Sequence, residues 1–257
     1  MKKGQVTIFV IIAILVIAGI IVLALAMNNK KEVGDQFKMN SNNIKAYIDS
    51  CIKETSIDGT FFIAIQGGYY KKPENSKNYL FFYIPYYWYK NKEAVPELKV
   101  LESELSSYID DNLPGCINNL EIFKDSGYTF DLKNPSSSVK INEKNIDIEI
   151  NYPIVITKGS SSIKLEQFQY SFDSDLKKAY DYSKLIIEEQ KKTPNSVPLS
   201  YIISLANEKG FNFEKIYIED DDVIYTLVFD DNKDNENKFS YAFVSDYNWK
   251  NGVNKTL

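Results

Sequence analysis

The chain has 257 residues, a formal net charge of −5, no histidine and, read through, no arginine, so all its positive charge is lysine. Without imidazole, a Ser-His-Asp or Cys-His triad and an imidazole zinc site are excluded, and two cysteines alone cannot complete a thiolate zinc site. An acidic chain that lacks guanidinium groups offers no electrostatic footprint for nucleic acid, so no nucleic-acid partner is expected.

The first element is the run from Val6 to Met27, which carries no charge and only Thr7 as a polar side chain. As a helix it would measure about 33 Å, enough to cross a hydrocarbon core of roughly 30 Å. Three fates are open to it. Ala24-Leu25-Ala26 before Met27 fits a signal-peptidase site, but a cleaved secretory signal has an apolar core of only about 7–15 residues. Length therefore favours retention, either as an uncleaved anchor or after loss of a short leader. The expected partner of residues 6–27 is a lipid bilayer. The short basic leader and the large domain behind it place the amino terminus inside the cytoplasmic membrane and the carboxyl-terminal domain outside.

The residues Lys2-Lys3-Gly4-Gln5-Val6-Thr7-Ile8-Phe9 resemble the class III signal peptide of archaeal pilin-like proteins. That resemblance implies cutting between Gly4 and Gln5, with the apolar helix kept as the new amino terminus. Phe9 stands where such pilins carry a glutamate, which argues against polymerisation while leaving the processing in place. The pattern from Tyr47 to Tyr180 also resembles an uncharacterised family of archaeal membrane-anchored proteins, and that likeness implies no activity.

The chain divides into an anchor (1–27), a polar tether (28–43), a main α+β domain (44–192) and a helix with a three-stranded meander (193–257). Ile44, Tyr47, Ile48, Cys51 and Ile52 predict a helix over 43–56, which Asp58-Gly59 would end, followed by a strand over Thr60–Ile65. Tyr79–Tyr89 reads as one strand that Pro85 pushes towards an edge or a bulge. Leu98, Leu101, Leu105, Tyr108 and Ile109 predict a helix, and Pro114 opens a second, shorter one. Alternation then predicts strands at 128–132, 139–141, 146–156 and 163–170, the middle pair joined by a turn at Asn142–Asn145. Asp173 or Ser174 caps a helix whose inner face is Leu176, Ala179, Tyr180, Ser183, Ile186 and Ile187. A helix over 198–209, stopped by Gly210, precedes the meander of 213–218, 223–229 and 239–244. Helices and hairpins come in clusters with no βαβ rhythm, so the fold class is α+β, with helices packed on antiparallel sheet.

An outward domain meets an oxidising compartment, so Cys51 and Cys116 are expected to form a structural disulfide. Ser161-Ser162-Ile163-Lys164 and Ser137-Ser138-Val139-Lys140 both match S-x-x-K. That chemistry needs a helix start, and both runs lie in strands. Glu219–Asp222 and Asp230–Glu236 concentrate oxygen ligands but read as solvated hairpin tips, so no metal or cofactor is expected. Leu80–Tyr89 is the densest aromatic run, and its default reading is a strand with both faces covered as core. If a surface binds a glycan or a protein partner, the expected residues are Tyr83, Tyr87 and Tyr89, near Tyr69 in the Gly67-Gly68-Tyr69 turn. Asn254-Lys255-Thr256 is a glycosylation sequon. The leading expectation is a non-enzymatic, membrane-anchored surface component. A pilin-like subunit and an outward carboxylate hydrolase are the rivals.

Overall fold

The computed structural model describes residues 42–218, 221–229, 238–247 and 249. Helix α1 covers residues 42–65. It buries Ile44, Ile48, Cys51, Ile52, Ile63 and Ala64, continued between them by Thr55, Ser56 and Thr60. That spacing is one helical stripe, and it corrects the expectation of a helix ending at Asp58-Gly59 with a strand after it. Gly59 is a contact rather than a stop: a Cβ there would lie 2.5 Å from Cδ1 of Tyr108 on the next helix. The turn that does end α1 is Gln66-Gly67-Gly68, where the N–H of Gly68 donates to the carbonyl of Ile63 at 2.7 Å.

Helix α2, Leu98–Ile117, buries Leu101, Leu105, Ile109, Leu113 and Ile117, an unbroken four-residue repeat. Pro114 sits in its last turn and opens no separate helix, because Leu113 and Ile117 extend the stripe already begun. The break comes later, where Asn118, Asn119 and Leu120 all take positive φ before a 3₁₀ stretch runs on to Ser126. The disulfide Cys51–Cys116 welds α1 to α2 with the two Cα atoms 5.7 Å apart, as expected from the cysteine pair. The Tyr47 hydroxyl donates to the Cys116 carbonyl beside it at 3.0 Å.

Between these helices the chain forms β1 (Ser76–Tyr79), β2 (Phe82–Tyr89) and the short β3 (Lys92–Glu93). The single strand expected over Tyr79–Tyr89 is thus a hairpin whose tip is Leu80-Phe81. After α2 come β4 (Thr129–Leu132), β5 (Ser136–Ile141), β6 (Asn145–Lys158) and β7 (Ser161–Asp173). Strand β6 is the spine of this four-stranded antiparallel sheet: β7 pairs along its length, while β4 and β5 pair with its far and near halves. Ile146, Ile148, Ile150, Tyr152, Ile154 and Ile156 alternate inward along it. Helix α2 covers the outer edge of β5 with two carboxylate acceptors two turns apart. Asp110 takes the N–H of Ser137 at 2.7 Å, and Glu102 takes that of Ile141 at 3.1 Å.

Helices α3 (Leu176–Gln190) and α4 (Leu199–Lys209) lead to β8 (Asn212–Tyr217), β9 (Asp222–Phe229) and β10 (Phe239–Asp246). The meander is antiparallel as expected, and β10 also lies parallel to β2, giving the order β1-β2-β10-β9-β8 with β3 on β2. The strands of segment 193–257, read as a subdomain, therefore continue a sheet begun at Ser76. Of the edge or bulge expected from Pro85, the register shows an irregularity two residues on: Val244 faces Tyr86 and Ser245 faces Trp88, leaving Tyr87 as the extra residue on β2. Both faces of β9 and β10 are covered. Tyr225, Leu227, Phe229, Tyr241 and Phe243 join the main core, while Ile224, Ala242 and Val244 make a smaller core with Ile84. The described residues thus form four helices and two sheets, an α+β fold. No helix among them is long and apolar enough to cross a membrane. The stretch 6–27 lies outside the described residues, as do Gly4, Gln5 and Asn254.

Candidate functional site

The default reading of the β2 aromatic run, a covered core, holds at Tyr87, and the alternative tyrosine surface is corrected at its centre. Tyr87 is fully buried. Its hydroxyl donates to the Gly67 carbonyl at 3.0 Å and accepts from Tyr241 at 2.5 Å, and its ring stacks on Phe243. Pairing with β10 on one side and the end of α1 above leave it no route to solvent. Tyr83 is 38 % exposed and its N–H is held by the side-chain oxygen of Gln66 at 2.9 Å. Tyr89 is half-buried on the Tyr86 ring, and Tyr69 is half-buried, with its phenol pushed above the ordinary value by burial and then by Glu104. With its middle member in the core, the row makes no single surface.

Of the acidic run Glu219–Asp222, Glu219 and Asp220 lie outside the described residues, and the expectation of a solvated tip is corrected at Asp222, the first residue of β9. Asp222 is only 4 % exposed. It accepts from Lys77 Nζ at 2.7 Å and from the Tyr86 hydroxyl at 2.8 Å, so it is an internal tie between β1, β2 and β9 rather than a solvated tip. Burial, then this hydrogen bond, push the Tyr86 phenol well up. Asp230–Glu236 lies outside the described residues. Both S-x-x-K runs have structural partners. Ser137 Oγ donates to the Ser106 carbonyl and Lys140 pairs with Glu102, while Lys164 pairs with Glu166. Among the described residues no group of three or more Cys, Asp or Glu side chains is placed to hold a metal ion.

What the fold does assemble is an open cleft of about 530 Å³ where α1, the β5–β6 turn, the end of β7 and the start of α3 meet. That size lies within the usual range for small-ligand sites, roughly 300–1,000 Å³. Helix α1 supplies Ile57 and, one turn on, Phe61, which is 37 % exposed and sits edge-on to Phe239 at 5.5 Å. Strand β7 supplies Phe172, stacked on Tyr170 at 5.4 Å, and Asp173. These aromatic groups form the apolar wall. The polar rim is Lys144, Asp173, Ser174, Asp175 and Lys178. The Ser174 N–H donates to the Lys144 carbonyl at 3.0 Å and Ser174 Oγ accepts from Leu176 N at 3.2 Å, while the N-cap of α3 is Asp175, with no side-chain cap bond, rather than the expected Asp173 or Ser174. Asp175 accepts from Lys178 Nζ at 2.6 Å, a bond that holds the lysine above its ordinary pKa.

The cleft therefore joins an aromatic wall to a rim of donors and acceptors, a combination that suits a ligand with one apolar face and several hydroxyls. Sequence reading missed it because Phe61 was placed in a strand. Continued as a helix, Ile57 and Phe61 fall one turn apart on one face. Comparison of the chain with protein-family models, with curated proteins and with solved structures finds no match to any of them.

Proposed function

We propose that this protein is a non-enzymatic binding component, held on the outer side of the cytoplasmic membrane by residues 6–27, that takes a surface glycan in the cleft between α1 and the start of α3. The observation that carries the ligand class is the half-exposed Phe61 ring facing a rim of both charge signs. A sugar presents to such a site an apolar C–H face for the ring and hydroxyls for the rim. Support for the outward location comes from the Cys51–Cys116 disulfide, a bond that persists in oxidising compartments. The anchor rests on the uncharged run itself.

The test is a glycan array probed with the full chain in detergent micelles. Binding lost in Phe61→Ala and retained in Tyr83→Ala supports the cleft; the absence of any bound glycan overturns the ligand class. Retention in carbonate-washed membranes tests the anchor, and the mass of the mature amino terminus separates an intact chain from one cut after Gly4 or before Met27. A second reading has one observation in its favour: Asp173 and Asp175 line the same cleft, which suits a carboxylate-dependent hydrolase. Glycan turnover by the wild type, abolished in Asp173→Asn, would replace binding with hydrolysis.

A further inference from the structure

Hairpin β1–β2 turns through only two residues, Leu80 and Phe81, between the cross-strand pair Tyr79 and Phe82. Leu80 is 72 % exposed and Phe81 92 %, the two most exposed large hydrophobic side chains among the described residues. Leu80 also has φ of 56°. The first central position of a two-residue hairpin loop favours glycine, asparagine or aspartate when φ is positive, and a leucine there is strained. Hydration and backbone preference both argue for a polar turn at this place, so the Leu-Phe tip suits surroundings other than water.

Behind the tip stands Tyr83, with Lys72 Nζ over its ring at 4.8 Å, and Lys71 and Lys72 are both exposed. The sequence of groups going back from the tip is aliphatic and phenyl, then phenol, then amine. That is the ordering of side chains across a bilayer interface, where rings with one polar end sit at the headgroups and lysines reach past them to water and anionic lipid. A second copy of the chain is a poorer occupant. Two side chains contribute roughly 300–400 Å² at most, against about 800 Å² per partner in a stable complex. A lipid surface needs no complementary shape.

The reach is sufficient. Gln66 accepts the N–H of Tyr83, so the hairpin lies at the carboxyl-terminal end of α1. That helix is about 35 Å long. The 28–41 segment before it spans up to about 46–50 Å when extended. The tip can therefore return to the same bilayer that residues 6–27 would cross. We infer that Leu80 and Phe81 insert into the interfacial layer of that bilayer and dock the folded domain tip-down on the membrane. The inference rests on the anchored reading given above, which places a bilayer within reach.

The test uses the full chain carrying Phe81→Trp in nanodiscs of phosphatidylcholine and phosphatidylglycerol, with and without brominated acyl chains. The added tryptophan emission is expected to fall by half or more in brominated lipid, while the wild type, whose Trp88 is buried and whose Trp249 stacks on Tyr247, changes little. An added emission that brominated lipid leaves unchanged overturns the inference; if that emission is blue-shifted in proportion to protein concentration, a second copy covers the tip instead. Carbonate washing separates the two readings. Chain retained but unquenched removes the tip and leaves the anchor. Chain washed off removes the anchor, and the washed Phe81→Trp protein is then mixed with brominated vesicles, where quenching sustains the tip and its absence rejects it.

Discussion

The Cβ that Gly59 lacks would stand 2.5 Å from Cδ1 of Tyr108. Helices α1 and α2 touch at this point, and the Tyr108 ring is itself fixed against Phe62 at 5.4 Å and Tyr70 at 5.1 Å. In an isolated helix Gly59→Ala would stabilise by about 1 kcal/mol. Here the ring cannot withdraw without disturbing its two neighbours, and overpacking costs about 1–3 kcal/mol. Gly59→Ala is expected to lower the urea midpoint, and to raise it when Tyr108→Ala is made as well. A stabilised single variant would show that the helices do not meet as described.

The Cys51–Cys116 bridge closes a loop of sequence separation 65. In the chain-entropy picture a loop of that length is worth about 4 kcal/mol. Cys51→Ala/Cys116→Ala should lose stability of that order in chemical denaturation, and reductant should then have no further effect. Because Tyr47 still reaches the Cys116 carbonyl, far-ultraviolet circular dichroism is expected to keep its helical content.

A buried relay ties the end of α3 to the large sheet. Tyr247 donates to Gln190 Oε1 at 2.5 Å and accepts from Tyr225, while Gln190 Nε2 reaches the carbonyls of Thr193, Pro194 and Ser196. Tyr247→Phe leaves both the Tyr225 hydroxyl and Gln190 Oε1 short of this partner, at a cost of about 1–3 kcal/mol. Burial above all pushes the Tyr225, Tyr87, Tyr241 and Tyr247 phenols above their ordinary 10.0. Past that pH the unfolded chain releases protons that the native chain still holds, so stability falls as pH rises further. Tyrosinate absorbance from these four should appear together with unfolding; its appearance in the folded protein would contradict their burial.

Asp110 shows the same sign at a lower pH. Desolvation raises its pKa, offset in part by the bond from Ser137. The native state then binds the proton more tightly than the unfolded chain, so this group's contribution is full below the ordinary carboxylate value and is lost as pH climbs through the raised one. Asp110→Asn keeps an oxygen for the Ser137 N–H and carries no charge. Relative to wild type it is expected to gain stability between acidic and neutral pH. Equal pH slopes for the two proteins would remove the assignment.

Much of the architecture was legible in the amino-acid order. The inner face read for α3, from Leu176 to Ile187, is buried throughout, and the alternation of β6, the turn at Asn142–Asn145, the Gly210 stop and the disulfide all stand as read. These are local features, set by side-chain period and backbone preference or by a single covalent pair. The errors fall where a neighbour decides. Gly59 looked like a stop until α2 supplied the ring that requires it, and Thr60–Ile65 looked like a strand until α1's stripe claimed it. Tyr87 was open to either core or surface until β10 closed beside it, and Asp222 looked solvated until Lys77 and Tyr86 met it across the sheet.

The candidate cleft follows the same rule, since Phe61, Phe172 and Lys178 are far apart in sequence and come together only where α1, β7 and α3 converge. The sequence by itself determined the period of each element, the uncharged opening run and the chemistries that a chain without histidine lacks. Tertiary structure decided which apolar residues became core, which carboxylates were paired and where a concave surface formed. Period is a property of neighbours along the chain, whereas burial and pairing are properties of neighbours in space.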